Sequence, residues 1–121
     1  MKKLFKNLFR VSKYDNLKVR ADSRELWREI NPDKSEEVDI FLSILDEAFF
    51  IPKKYQFRVE PKDKLGDLYQ MSRGFIDSFE IEIMLDLIFE KFTYELLEEE
   101  LSYDLTFEEI FFKVTKSQIQ R

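Results

Sequence analysis

Residues 74–92 read GFIDSFEIEIMLDLIFEKF and contain the clearest helical pattern in the chain. The large apolar side chains recur at i, i+3, i+4, i+7 and i+11, on one side of an α-helix: Ile81, Met84, Leu85, Ile88 and Phe92. Asp77 or Ser78 is predicted to begin this helix, because their side-chain oxygens accept the free N–H groups of a first turn. The segment therefore predicts an amphipathic helix with one buried face.

Two further amphipathic helices are predicted on either side of this segment. Ser35 is expected to cap the earlier one, whose apolar residues are Val38, Phe41, Leu42, Leu45 and Phe49. Thr106 is expected to cap the last one, which buries Phe107, Ile110, Phe111 and Val114. Both sets follow the 3–4 residue spacing of a buried helical face.

Shorter elements complete the predicted organisation. Asp22 with Glu25 three positions later indicates a capping-box variant, followed by a short helix that Asn31-Pro32 ends. Residues 52–73 are expected to form a long connection, with Leu65 and Leu68 pointing inward. A connection of that length is usually functional or crossed by a short turn.

The composition favours helices in a single domain. The chain has 121 residues, thirteen Phe, two Gly and three Pro. A turn-rich β architecture needs more Gly and Pro than this. The expected fold is an all-α bundle of three main helices plus short extra helices. Residues 1–34 form a basic N-terminal extension that packs on or flanks the core, and residues 35–121 form the helical domain.

Several kinds of chemistry are excluded by residues that the chain lacks. It contains no His and no Cys, so imidazole catalysis, thiol chemistry and Cys- or His-based metal sites are impossible. We therefore expect a protein that is not an enzyme, with no catalytic residues and no metal. The acidic run Glu98-Glu99-Glu100 is expected to be a solvated face, because adjacent carboxylates on a helix do not converge on one ion. Trp27 is expected in the core.

Charge is divided unevenly along the chain. Residues 1–34 hold ten Lys and Arg against five Asp and Glu, whereas residues 35–121 hold ten against twenty. The acidic body is expected to attract basic partner surfaces and to repel nucleic acid.

The N-terminal stretch is basic and amphipathic. Residues 1–11 interleave Lys2, Lys3, Lys6 and Arg10 with Leu4, Phe5, Leu8, Phe9 and Val11. Contact with acidic lipid is one interpretation, but the opposite charges favour docking of this stretch onto the acidic body. No apolar run approaches the length of a transmembrane helix and no signal peptide is recognisable, so a cytoplasmic protein is expected.

Residues 59–116 resemble acyl and peptidyl carrier proteins, and residues 35–51 resemble the first helix of that family. The motif Gly74-x-x-Asp77-Ser78-Phe79 is similar to the modification site of D-alanyl carrier proteins. Three other features lie in register with the family: the lead-in Pro61-x-x-x-Leu65-x-Asp67-Leu68, Phe92 fourteen residues after the serine, and Leu105-Thr106-Phe107.

The resemblance implies a carrier function. Ser78 would bear 4′-phosphopantetheine, which a magnesium-dependent phosphopantetheinyl transferase attaches, and Asp77 would assist recognition by that enzyme. The arm would carry acyl or aminoacyl groups as thioesters, and it would supply the thiol that this cysteine-free chain lacks. Acyl- and aminoacyl-handling enzymes would be the partners, docking on Glu80, Glu82, Ile83, Asp86, Phe89 and Glu90.

Two departures from the simplest carriers keep alternatives open. The extension of about 34 residues is one, and the apolar outer positions Ile83, Leu87 and Phe89 are the other. Extra apolar surface of this kind means that either the extension packs over it or a partner binds to it. The principal alternative is an unmodified carrier-like binding module, such as an immunity or antitoxin protein that neutralises a basic toxin. In that case Asp77-Ser78 is only a helix cap.

Overall fold

The computed structural model describes residues 17–72 and 79–119, and these form an all-α bundle, as predicted. Five α-helices follow in chain order: α1 (Arg24–Ile30), α2 (Ser35–Ala48), α3 (Leu65–Ser72), α4 (Phe79–Phe92) and α5 (Phe107–Ile119). Short 3₁₀ helices lie at Pro32–Lys34, Lys53–Tyr55 and Glu98–Glu100. Within these ranges no β-strand occurs.

The core is built from the helical faces that the sequence predicts. The α2 and α5 residues named above are all buried, and on α4 Ile81, Met84, Ile88 and Phe92 are buried with Leu85 half-buried beside them. Helices α2 and α4 share the most extensive helix–helix packing. Apolar burial of this kind is the main favourable term in folding.

Trp27 joins residues of the N-terminal extension to this core. Its ring packs edge-on against Phe41 of α2 and Phe111 of α5, with centroid distances of 5.7 and 5.5 Å. Trp27 is fully buried, as predicted, and its Nε1–H donates to the carbonyl oxygen of Val59 at 2.8 Å. Edge-to-face pairs add about 0.5–1.5 kcal/mol each to area burial.

Two predicted caps are wrong. The residue before α1 is Ser23, not Asp22, and its Oγ donates to backbone carbonyls of the 57–59 segment instead of capping the helix. Asp22 accepts the N–H of Arg24 at 2.9 Å and pairs with the Arg24 guanidinium, so the proposed box with Glu25 does not form. Ser35 is the first residue of α2, because the 3₁₀ turn ending at Lys34 leads directly into the helix.

The cap of α5 is confirmed. The N–H of Thr106 donates to Glu109 Oε1 at 2.9 Å, and the N–H of Glu109 donates to Thr106 Oγ1 at 3.2 Å. This reciprocal pair is a capping box. The hydrogen bonds from Thr106 lower the pKa of the Glu109 carboxyl.

The long connection predicted for residues 52–73 contains a helix. Leu65 and Leu68 are buried as predicted, but they lie on α3. The N–H groups of Leu65 and Gly66 donate to the carbonyls of Leu105 and Tyr103, which fixes the start of α3 beside the segment leading into α5. A Cβ on Gly66 would meet the Tyr103 carbonyl oxygen at 2.9 Å, so this approach requires glycine.

Replacement of Trp27 by alanine is expected to destabilise the protein by about 3–5 kcal/mol, because it leaves a cavity between three helices. The measurement is the free energy of unfolding from urea denaturation. The matched control is Leu26→Ala on the same helix, where the side chain is 44% exposed, and it should change stability by about 0.5 kcal/mol or less. Equal losses in the two variants would show that Trp27 is not part of the common core.

Candidate functional site

The candidate attachment residue precedes the first described turn of α4. Asp77 and Ser78 lie outside the described residues, so their predicted roles stay predictions. Helix α4 is described from Phe79, the residue after the serine. The site is therefore built from the side chains of that first turn and from the surfaces beside it.

Phe79 contacts a ring from the end of α2. The rings of Phe79 and Phe50 stack with centroids 6.2 Å apart and planes inclined by 13°. Phe50 follows α2 with a φ of 54°, a left-handed conformation that a bulky residue rarely adopts. This turn aims the Phe50 ring at the start of α4 while Phe49 stays in the core.

A cavity of about 320 Å³ lies beside the same turn. Its described lining residues come from α3, α4 and the connection to α5: Leu65, Ile81, Glu98, Leu101, Ser102 and Tyr103. Ile81 is three positions after Ser78, so the first turn of α4 forms one wall. We name this space the Ile81 cavity; its leucine and isoleucine side chains suit an apolar group of modest length.

The predicted partner face of α4 is only partly exposed. Glu82, Asp86 and Glu90 are exposed, and Phe89 is 55% exposed. Glu80 is not on this face: it is buried at 3% exposure, and its Oε1 lacks a hydrogen-bond partner. Its burial places it on the inward side of the first described turn.

Two apolar positions expected to lie outside the buried stripe pack against the core. Ile83 and Leu87 are half-buried, because α2 lies along α4 and widens its buried sector. A groove between the two helices is lined by Asp39, Ile40, Ser43, Ile44, Glu47, Leu87 and Lys91. Of the three outward apolar residues on α4, Phe89 alone is exposed.

Phe89 contributes to a second surface with segment 95–98. A groove of about 340 Å³ is lined by Leu85, Asp86, Phe89, Glu95, Leu96, Leu97 and Glu98. We name it the Phe89 groove. Phe89 and Leu97 are exposed large apolar residues, and acids are interspersed between them. Thr93, with a φ of 56°, ends α4 and turns the chain back along this side.

The acidic run Glu98–Glu100 forms a short 3₁₀ helix. Glu100 accepts the N–H of Leu97 at 2.9 Å and pairs with Lys113 at 3.6 Å. In the part of the chain that the structure describes, no cluster of three or more acidic residues could hold a metal ion. Nor is any helix there long and apolar enough to cross a bilayer.

Asp46 is a buried carboxyl that the sequence reading missed. It is 4% exposed, its Oδ2 accepts the N–H of Phe57 at 3.1 Å, and its Oδ1 has no hydrogen-bond partner. Burial raises its pKa to about 7, and the Phe57 N–H opposes that shift. The sequence did carry a signal for this burial, because Asp46 lies four residues after Leu42, at the border of the apolar face of α2.

The chain matches no known protein-family model, no curated protein and no solved structure. The likeness to carrier proteins therefore rests on the motif and its register.

Asp46 is expected to make stability fall as the pH rises from 5.5 to 8. Its folded pKa of about 7 lies above the ordinary value of 3.8, so folding is penalised once the unfolded carboxyl has ionised. The loss of stability develops between pH 3.8 and 7. About 2 kcal/mol of it falls in the part of this range above pH 5.5. With no His and no Cys, no other side chain ordinarily titrates in this window.

The measurement is urea unfolding of the wild type and Asp46→Asn at pH 5.5 and 8. The amide removes the charge, so the variant should lose most of the pH dependence. Asp33→Asn, at an exposed position, should retain it. An unchanged pH slope in Asp46→Asn would contradict the assignment.

Proposed function

We propose that the protein is a carrier that bears 4′-phosphopantetheine on Ser78 and holds acyl or aminoacyl groups as thioesters. The observation that carries the proposal is the first described turn of α4: in the sequence an Asp77-Ser78 dipeptide directly precedes it, and a cavity with Leu65, Ile81 and Leu101 in its wall adjoins it. The protein would supply a hydroxyl and a docking surface, while partner enzymes perform the chemistry.

Position at a helix N-terminus suits a phosphodiester. The first N–H groups of an α-helix lack intrahelical acceptors, and the helix dipole favours negative charge there. A phosphodiester on Ser78 would meet those groups at the start of α4. Glu80 and Glu82 already place carboxylates in the first turn.

The Ile81 cavity would accommodate the apolar part of a cargo. Its volume of about 320 Å³ is at the small end of ligand pockets, which are roughly 300–1,000 Å³. Leu65, Ile81 and Leu101 supply its apolar wall. A short acyl or aminoacyl group fits this space better than a long chain.

Partner enzymes would dock on the exposed acids of α4. Glu82, Asp86 and Glu90 are exposed on the same helix as Phe89, so their charge would steer a basic surface toward an aromatic contact. Glu80, although in the predicted set, is buried and would not contact a partner directly. Ile83 would contribute only its exposed edge.

Modification of Ser78 is expected when the protein is expressed together with a broad-specificity phosphopantetheinyl transferase. Intact-mass spectrometry should show the addition of one phosphopantetheinyl group to the wild type. Ser78→Ala should remain unmodified, whereas the control Ser102→Ala, at an exposed serine, should be modified like the wild type. A wild-type mass equal to that of the unmodified chain would refute the carrier proposal.

A second candidate function is an unmodified binding module of the immunity or antitoxin kind. The observation that favours it is the Phe89 groove, which combines exposed apolar side chains with acids and suits a basic toxin. In this alternative Asp77-Ser78 acts only as a helix cap.

The binding-module alternative predicts that protection depends on Phe89 and not on Ser78. Host growth would be measured during co-expression with each protein encoded beside this one. Ser78→Ala should protect fully against the toxic neighbour, and Phe89→Lys should not. Loss of protection in Ser78→Ala alone would contradict this alternative and favour the carrier.

A further inference from the structure

We propose that a cavity at the end of α2 binds the ammonium group of an alkylamine, with the Asp46 carboxylate as its counter-ion. The cavity has a volume of about 500 Å³, and its described lining residues are Ser43, Asp46, Glu47, Phe50, Ile51 and Gln56. We name it the Asp46 cavity. The inference does not depend on modification of Ser78, and it concerns a different surface from the Phe89 groove.

One carboxyl oxygen of Asp46 is buried without a hydrogen-bond partner. The side chain is 4% exposed, and Oδ2 accepts the N–H of Phe57 at 3.1 Å, whereas Oδ1 accepts no hydrogen bond within residues 17–72 and 79–119. Leaving a buried acceptor unpaired costs free energy, so nearly all such groups in native proteins have partners. A donor held in the adjoining cavity would supply the partner that Oδ1 lacks.

The charge of the cavity is negative. Asp46 and Glu47 are the charged residues of its described lining, and neither forms an ion pair within residues 17–72 and 79–119. Lys53 and Lys54 follow closely along the chain, but neither is among the described lining residues, and Lys54 Nζ lies over the Tyr55 ring at 5.2 Å. The cavity is therefore suited to a cation from outside the described residues.

The two acids occupy an unfavourable end of their helix. The last turn of α2 contains Asp46 and Glu47 but no basic residue. The C-terminal end of a helix carries partial negative charge, so it disfavours acids and favours cations. Residues that break such a local rule are concentrated at functional sites. A cation in the Asp46 cavity would interact favourably with both carboxylates and with the helix terminus.

The remaining walls suit a short alkyl stem and the other N–H groups of an ammonium. Ile51 and the Phe50 ring are apolar, and an aromatic ring also attracts a cation. Ser43 and Gln56 contribute a hydroxyl and an amide, which can accept hydrogen bonds. Because Oδ1 of Asp46 is covered, contact with it requires a small shift of the lining. Gln56 is the side chain best able to move: it is half-buried, and its Nε2 donates to the Ile51 carbonyl at a long 3.4 Å.

A divalent metal ion fits the cavity less well than an ammonium. Calcium takes about six to eight oxygen ligands and magnesium requires an octahedral set. The cavity offers two carboxylates, and no group of three or more acidic residues that could hold a metal occurs in the described part of the chain. An ammonium has three N–H donors and needs only three acceptors.

An NMR titration of the ¹⁵N-labelled full chain with n-butylammonium chloride at pH 8 tests the proposal. The amide signals of Ile51, Gln56 and Phe57 should shift and saturate, and those of Phe89 and Leu97 should not shift. Butylammonium resembles a lysine side chain, whose ordinary pKa is about 10.4, so it stays protonated at pH 8. n-Butanol and sodium chloride at the same concentrations should cause no saturable shift.

Asp46→Asn provides the matched comparison, because it keeps the shape of the side chain and removes its charge. Its affinity for butylammonium at pH 8 should be lower by about tenfold or more, since a hydrogen bond to a charged acceptor is lost. Asp33→Asn, at an exposed acid, should bind like the wild type. Amide dispersion in each spectrum reports whether the variant is folded.

A lower pH should weaken binding through Asp46. Burial raises the pKa of its carboxyl to about 7, and the charge of Asp22 adds to that shift although Asp22 itself pairs with Arg24. The carboxyl is therefore mostly protonated at pH 5.5, and the affinity of the wild type should be about 30-fold lower there than at pH 8. Asp46→Asn should show little of this pH dependence.

Two further ligands distinguish the sources of the ammonium group. Nα-acetyl-lysine N-methylamide presents it as a partner protein would, and 1,4-diaminobutane presents it as a free amine. Saturable, Asp46-dependent binding of either supports the proposal, and the tighter ligand identifies the source. The absence of saturable shifts with all three ammonium ligands, an unchanged affinity in Asp46→Asn, or the same shifts with calcium chloride would overturn it.

Discussion

Three aromatic rings from separate parts of the chain meet in one cluster, which joins α1, α2 and α5. Phe41 and Phe111 lie 5.2 Å apart between centroids, and Trp27 packs edge-on against both. Because α4 packs along α2, the cluster also supports the helix on which α4 lies. The Trp27 indole and the Ser23 hydroxyl both donate to the Val59 carbonyl, which holds the segment around Val59 against this aromatic cluster.

Sequence periodicity predicted the core but not its edges. The stripes of α2, α4 and α5 repeat every three to four residues, so their buried faces followed from spacing alone. Glu80 was wrongly predicted on the exposed partner face, and Asp46 was not singled out. Both border those stripes, and only the packing of neighbouring helices decides whether a border position is buried. Ser35 failed as a cap because the preceding 3₁₀ turn enters α2 without a break. Helix α3 was hidden by its eight-residue length and by Gly66.

The candidate site could be predicted to a similar extent. Spacing and the Gly-x-x-Asp-Ser motif indicated the start of α4 and an acidic outer face. The Ile81 cavity could not be predicted, because its walls come from α3, α4 and the 98–103 segment. Neither could the stack of Phe50 on Phe79, which depends on a left-handed turn at Phe50. Functional surfaces formed by distant segments require the tertiary structure.

The buried Trp27 ring makes residues 17–34 part of the same core as α2 and α5. Native-state hydrogen exchange tests the existence of this common core most directly. The backbone amide of Trp27 donates to the Ser23 carbonyl, and that of Asn31 donates to the Trp27 carbonyl. Their exchange rates would be compared with those of the α2 and α5 amides at increasing denaturant concentration. We predict that all of these amides exchange only through global unfolding, and therefore with equal free energies of opening. Exchange of α1 at a lower free energy, with little dependence on denaturant, would contradict a common core.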